Sequence, residues 1–142
     1  MKHLHIRTFG LMGLILLCFL VVPQTILAGD FDGSKPLLCA VTETIECTPD
    51  GEVLRGEAES IDMPCFLKID FEKKTISGTL EDGTVRTTEI KGMEQTDGNL
   101  ILQGVQNGKA WNMVIAEATG KATIAASDNQ VGFVVFGACI PQ

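Results

Sequence analysis

CFLKIDFEKKTISGTLEDG, residues 65–83, decides the fold. Leu67, Ile69 and Phe71 alternate with Lys68 and Asp70, the two-residue period of a strand with one buried face. Glu72, Lys73 and Lys74 make a polar turn. Ile76, Gly78 and Leu80 then share one side of a second strand, and Glu81-Asp82-Gly83 carries the aspartate–glycine signal of a hairpin.

Toward the C-terminus the same texture repeats. Thr84–Lys91 predicts a third strand, polar and exposed, and Gly92–Gly98 a longer link. Leu100–Val105 predicts a fourth strand, closed by Asn107-Gly108. Trp111, Met113 and Ile115 point one way in a fifth; Thr119-Gly120 turns again; Ala122, Ile124 and Ala126 form a sixth. After a turn at Ser127–Gln130, Val131, Phe133, Val135, Gly137 and Cys139 face one side of a seventh strand, with Val134 and Phe136 on the other. A strand apolar on both faces belongs in a covered, central place. Turn signals recurring about every ten residues predict an antiparallel meander that curls into a small barrel or folds over as a sandwich, each strand beside the next.

Toward the N-terminus the reading is less clean. In KPLLCAVTETIEC, Lys35–Cys47, the residues Leu38, Val41 and Ile45 recur at helical spacing behind a capping Ser34 and a tolerated Pro36. Leu37, Cys39, Val41 and Ile45 also fit a strand, and Thr42 and Thr44 favour one. The expectation is a short helix. Thr48–Gly51 is a turn, Glu52–Met63 a loop with one short strand or helical turn, and Pro64 ends it. Gly29–Ser34 is a polar lead-in: Asp30, Asp32 and Gly33 resemble the start of a calcium loop, but the later ligands do not follow. The expected fold is mainly β with one short N-terminal helix. A helix and loop lobe over residues 29–64 leads into a meander over 65–139, all in one domain.

Residues 1–28 read as a secretory signal peptide. Lys2 and Arg7 give the basic start, Leu11–Val22 an uncharged apolar run, and Pro23 a helix break before a cut after Ala28. The apolar run falls short of the roughly 20 residues of a spanning helix, so no permanent membrane span is expected after cleavage. Cys18, preceded by Leu17, lacks the small neighbour of a lipoprotein acceptor. The expected location is periplasmic or secreted. Cleavage would remove His3 and His5, leaving no histidine, and the chain has no tyrosine.

Cys39, Cys47, Cys65 and Cys139 then remain, an even number in a short exported chain, which predicts two disulfides. Three pairings are possible. The one adopted joins Cys39 to Cys139, closing the two ends, and Cys47 to Cys65, closing the N-terminal lobe. Zinc is disfavoured: the spacings of eight, eighteen and seventy-four residues contain no CxxC, and no histidine is left.

Composition excludes several functions. Without Lys2 and Arg7, nine basic residues face eighteen acidic ones, a formal charge of −9. Nucleic acid and anionic membrane surfaces repel such a domain. A serine or cysteine nucleophile would lack its usual histidine base. Paired carboxylates remain, Asp70 with Glu72 or Glu57 with Glu59, but spacing of this kind is common on solvated faces. No phosphate loop or other cofactor motif occurs, so no cofactor is expected. Trp111, Phe71 and Phe133 are the candidates for lining a ligand site or filling the core. The polar strand Thr84–Glu94 could add a partner strand, although Arg86, Glu89 and Lys91 are the charges that usually block such pairing.

FDGSKPLLCA at residues 31–40, FLKIDF at 66–71 and VGFVVFGAC at 131–139 together resemble a group of small exported Gram-negative bacterial proteins of unknown function. The resemblance implies export and a single domain; it transfers no functional residue. The expected function is a non-enzymatic binding module for a small apolar ligand or a protein, the protein being a basic one such as a lysozyme. The alternatives are a structural envelope component and a hydrolase using carboxylates alone.

Overall fold

The structure, a computed structural model, describes residues 30–142. The expected export signal, its cut after Ala28, and His3, His5 and Cys18 lie outside the described residues. Ten strands follow one another: β1 (Leu37–Cys47), β2 (Val53–Gly56), β3 (Phe66–Asp70), β4 (Thr75–Thr79), β5 (Val85–Glu89), β6 (Gly92–Thr96), β7 (Asn99–Gln106), β8 (Lys109–Ala116), β9 (Lys121–Ser127) and β10 (Gly132–Pro141). They form one antiparallel sheet that curls into a half-barrel, in the order β5-β4-β3-β1-β10-β9-β8-β7-β6, with β2 beside the far half of β1. A single 3₁₀ turn, Ala58–Ile61, lies between β2 and β3.

The two ends of this order, β5 and β6, are separated in sequence only by Ile90 and Lys91. The Ile90 N–H donates to the Lys74 carbonyl at 2.8 Å and the Lys91 N–H to the Gln103 carbonyl at 2.8 Å. One bent segment thus bonds to β4 before the corner and to β7 after it, which draws the margins of the sheet toward each other. The expected link Gly92–Gly98 is therefore the strand β6, with Asp97-Gly98 as its hairpin turn to β7. Asp97-Gly98 and Asn107-Gly108 both place two consecutive residues at positive φ, which a two-residue turn needs to follow the twist of its strands.

The expected helix over Lys35–Cys47 is β1. It pairs with β10 along its whole length and with β3 through Leu37–Ala40. A bulge between Val41 and Glu43 shifts its register. Before the bulge, Leu37 and Cys39 are buried; after it, Thr44 is. The extra residue flips the alternation, so odd positions face the core first and even ones afterwards. Among the described residues, no N-terminal helix covers the sheet. Instead the lead-in covers one end: Phe31 packs against the core, and the Asp32 carbonyl accepts from Gln95 at 2.8 Å.

Cys39 and Cys139 face each other across β1 and β10 and form a disulfide. Cys47 and Cys65 are not joined; both are free. The register explains why. The Cys65 carbonyl accepts from the Val41 N–H, so Cys65 sits beside Val41 on β1. Cys47 is six residues further along that strand. At about 3.3 Å per residue that is roughly 20 Å, far beyond the roughly 7 Å that a bridge spans. The Cys65 thiol donates instead to the Glu59 carboxylate, which raises its pKa.

Candidate ligand cavity

Along each inward face, side chains change character from one end of the half-barrel to the other. On β7 the inward positions run Leu102, Gly104, Gln106; on β8, Met113, Trp111, Lys109; on β4, Ile76, Gly78. From the corner into β5 they run Ile90, Thr88, Arg86. Large apolar residues give way to glycine or polar ones, always toward the same end. Leu102, Met113, Ile76 and Ile90 are buried. Beyond them the inner faces do not meet, and a cavity of about 490 Å³ opens. That volume falls in the roughly 300–1,000 Å³ range of small-molecule sites.

Leu67, Ile76, Met113, Ile124 and Val135 form the floor of the cavity; Trp111, Phe133 and Ala126 line its wall. Ile61, Met63 and Pro64 border it from the segment between β2 and β3. That segment hangs from β1 through Thr44, whose hydroxyl donates to the Glu57 carbonyl at 3.1 Å and lies 3.4 Å from the Ser60 hydroxyl. Polar groups gather at the rim: Arg86, Thr88, Gln106 and Lys109.

Trp111 is the centre of the wall. It faces Gly104 across β7 and β8, and a Cβ at Gly104 would lie 2.3 Å from the indole Cζ2. Only a glycine allows the ring to lie there. The indole Nε1 donates to the Thr88 hydroxyl at 3.1 Å, which ties β8 to β5 where no strand ladder joins them and leaves the rest of the ring for apolar contact.

Each rim cation is held by a carboxylate. Arg86 reaches Asp62 twice, donating to its carbonyl at 2.8 Å and to its carboxylate. Asp62 sits at a left-handed φ of 55° where the 3₁₀ turn ends, which aims both acceptors at the guanidinium. The Lys109 ammonium donates to Asp128 at 2.5 Å and lies 6.0 Å from the centre of the Phe133 ring. That bond, with the N–H groups of Gln130 and Val131, pulls the Asp128 carboxyl down from 3.8 to about 2.

The three aromatic candidates thus separate. Trp111 and Phe133 share the cavity wall, whereas Phe71 packs against the core away from it. In each carboxylate pair one member is held below the usual carboxylate range. Asp70 accepts from the backbone and ammonium of Lys73, which lowers its pKa, and Glu59 is lowered by the Cys65 thiol. The sequence reading missed Arg86 and Lys109. A usable signal was present: by period two, Lys109 shares a face with Trp111, and Arg86 shares one with Thr88 and the apolar Ile90.

No protein-family model, curated protein or solved structure matches the chain.

Proposed function

We propose that the protein is an exported, non-enzymatic binding module that takes a small apolar ligand into the open end of its half-barrel. The observation that carries this reading is the cavity: an apolar floor, an aromatic wall from Trp111 and Phe133, and polar groups confined to the rim. Sites for small molecules combine such walls with a few placed polar groups. The Cys39–Cys139 disulfide supports an oxidising compartment, in keeping with residues 1–28 read as an export signal.

Trp111 is the sole tryptophan of the chain, so the emission comes from a residue of the cavity wall. Titration of the domain with 1-dodecanol shifts that emission to shorter wavelength and saturates, and calorimetry gives the same affinity. Ala126→Phe, which fills the wall, abolishes the change. A flat titration of a folded domain by both methods refutes the reading.

A second reading, assembly into an envelope structure, draws on a different surface. Phe66 is 60% and Ile140 61% exposed on the outer face of β3 and β10. The register sets Ala40 opposite Phe66 and Leu38 opposite Ile140, so the two are bridged by small or apolar neighbours. Exposed apolar strips of this kind mark contacts between proteins. Sedimentation of the domain and of Phe66→Ser tests it: a dimer that the variant dissociates supports assembly, and a monomer at all concentrations excludes self-assembly through this face.

A further inference from the structure

We infer that the ligand is a single-chain amphiphile with an anionic head, its alkyl chain on the cavity floor and its head held at the rim by Lys109 and Arg86. This rests on the cavity being a ligand site and adds the chemistry of the ligand. The ionisable residues bordering the cavity are Asp62, Arg86 and Lys109, two cations and one anion. The described chain as a whole has nine basic residues against eighteen acidic ones. With Asp128 paired to Lys109, the mouth carries two cations against two carboxylates, a charge-balanced patch in a strongly negative protein. A rim meant only for water or a neutral head would not need two cations placed against the general charge.

The ion pairs at the rim leave both cations able to bind. Asp128 takes one of the three ammonium protons of Lys109, and its other oxygen accepts from Gln130 at 2.8 Å and Val131 at 3.0 Å. Backbone bonds therefore fix Asp128, and Asp128 fixes Lys109 above the Phe133 ring, with two donors unused. Asp62 occupies two of the five N–H groups of Arg86. Both side chains are only partly exposed, Lys109 36% and Arg86 38%, so their stems lie along the apolar wall with the charged ends outward. An anionic head above that wall meets unused N–H donors from two sides, and charge-assisted bonds are about twice as strong as neutral ones. The field of the remaining protein repels anions at a distance, so the preference must come from these short contacts.

Trp111 emission and calorimetry with three probes of one chain length test the inference: dodecanoate, 1-dodecanol and dodecyltrimethylammonium. Dodecanoate should bind about tenfold more tightly than dodecanol, the size of one charge-assisted bond, and the ammonium probe more weakly than either. Lys109→Met should close most of the gap between dodecanoate and dodecanol, and Arg86→Met should narrow it independently. Lys68→Met, on the outer face of β3, should leave the gap intact. Equal binding of all three probes overturns the inference while leaving the cavity as an apolar ligand site. Tightest binding of the ammonium probe overturns it in favour of a cationic head. A gap that survives in both rim variants overturns the assignment to Lys109 and Arg86. Failure of every probe to bind refutes the ligand site itself, and this inference with it.

Discussion

The two ends of the half-barrel are built on the same strands and serve opposite purposes. At the closed end, Leu37, Ile69, Leu100 and Ile115 are each 0% exposed. Phe31 lies over Gly120 there, and the Cys39–Cys139 disulfide ties β1 to β10. At the open end the same sheet presents Trp111, Phe133, Thr88 and two cations around empty space. The strands that cross from one end to the other change residue type within two positions: Leu102 to Gly104 on β7, Trp111 to Lys109 on β8. The closed end supplies the burial that holds the fold. The open end gives up burial and gains a site. Perturbing the two ends should therefore give different kinds of loss.

The largest effect belongs to the closed end. The Cys39–Cys139 disulfide closes a loop of 100 residues. In the chain-entropy account, a loop of that length stabilises by about 4–5 kcal/mol. Cys139→Ser should lower the denaturant midpoint accordingly, and reduction of the wild type should reproduce it; a shift under about 1 kcal/mol would show that the sheet holds without the bridge. Next comes Leu100→Ala. It empties a fully buried site and should cost about 2–5 kcal/mol by urea unfolding. Phe133→Ala, half-buried and already beside open space, should cost only about 1 kcal/mol yet weaken dodecanol binding. If Phe133→Ala proves as destabilising as Leu100→Ala, the division of labour between the ends is wrong.

That division was partly visible in the sequence. Period-two patterning and the Asp-Gly and Asn-Gly turns located β3 and β4, the polar β5, and β7 to β10, because turn signals bound each of these strands and most of them carry an apolar residue at every second position. β1 was misread because its bulge breaks the alternation. Leu37, Cys39 and Val41 face inward before it and Thr44 after it, whereas Leu38, Val41 and Ile45, whose three- and four-residue steps resemble a helix, mix the two faces of the strand. β6 was misread because it is an edge strand with a mostly exposed, polar sequence, leaving no apolar face to reveal it. The cysteines divide in the same way. Cys39 and Cys139 lie on paired strands that come first and last in the chain and sit side by side in the middle of the sheet, whereas the distance between Cys47 and Cys65 depends on the register of β3 on β1, which no local pattern encodes. The cavity shows only as a conjunction. Gly78 and Ala126, which line it, and Gly104, which makes room for Trp111, are each unremarkable alone, and they matter because the curl brings them to one end.

Gly104 sharpens the contrast at intermediate cost. A Cβ there would meet the Trp111 ring at 2.3 Å and the Glu89 carbonyl at 2.6 Å, and the backbone cannot retreat without opening the β7–β8 pair. Gly104→Ala should destabilise by about 1–3 kcal/mol, the usual cost of overpacking. It should also displace the indole from Thr88 and move Trp111 emission in the ligand-free domain. A loss of stability with unchanged emission would mean that Glu89, not Trp111, gives way, and that the wall of the cavity does not depend on this glycine.

The smallest effect is electrostatic and belongs to the open rim. Asp128 has a folded pKa of about 2 against an ordinary 3.8, drawn down first by Lys109 and then by two backbone N–H groups. A carboxyl depressed in this way stabilises the fold at pH values above 3.8, and that contribution is lost as the pH falls from 3.8 toward 2. Asp70, Asp82 and Asp50 are also lowered, so the acid limb of the wild type does not report on Asp128 alone. The difference between wild type and Asp128→Asn does. It should be constant near neutrality, shrink through that window and vanish below it, because a protonated aspartic acid and an asparagine serve Lys109 about equally poorly. The same substitution frees Lys109 from its anchor, so dodecanoate binding at neutral pH should weaken even though a negative charge has been removed from the rim. Simple charge arithmetic predicts the reverse, tighter binding of the anion. The sign of that change thus decides whether Asp128 acts by holding Lys109 in place or only by cancelling its charge.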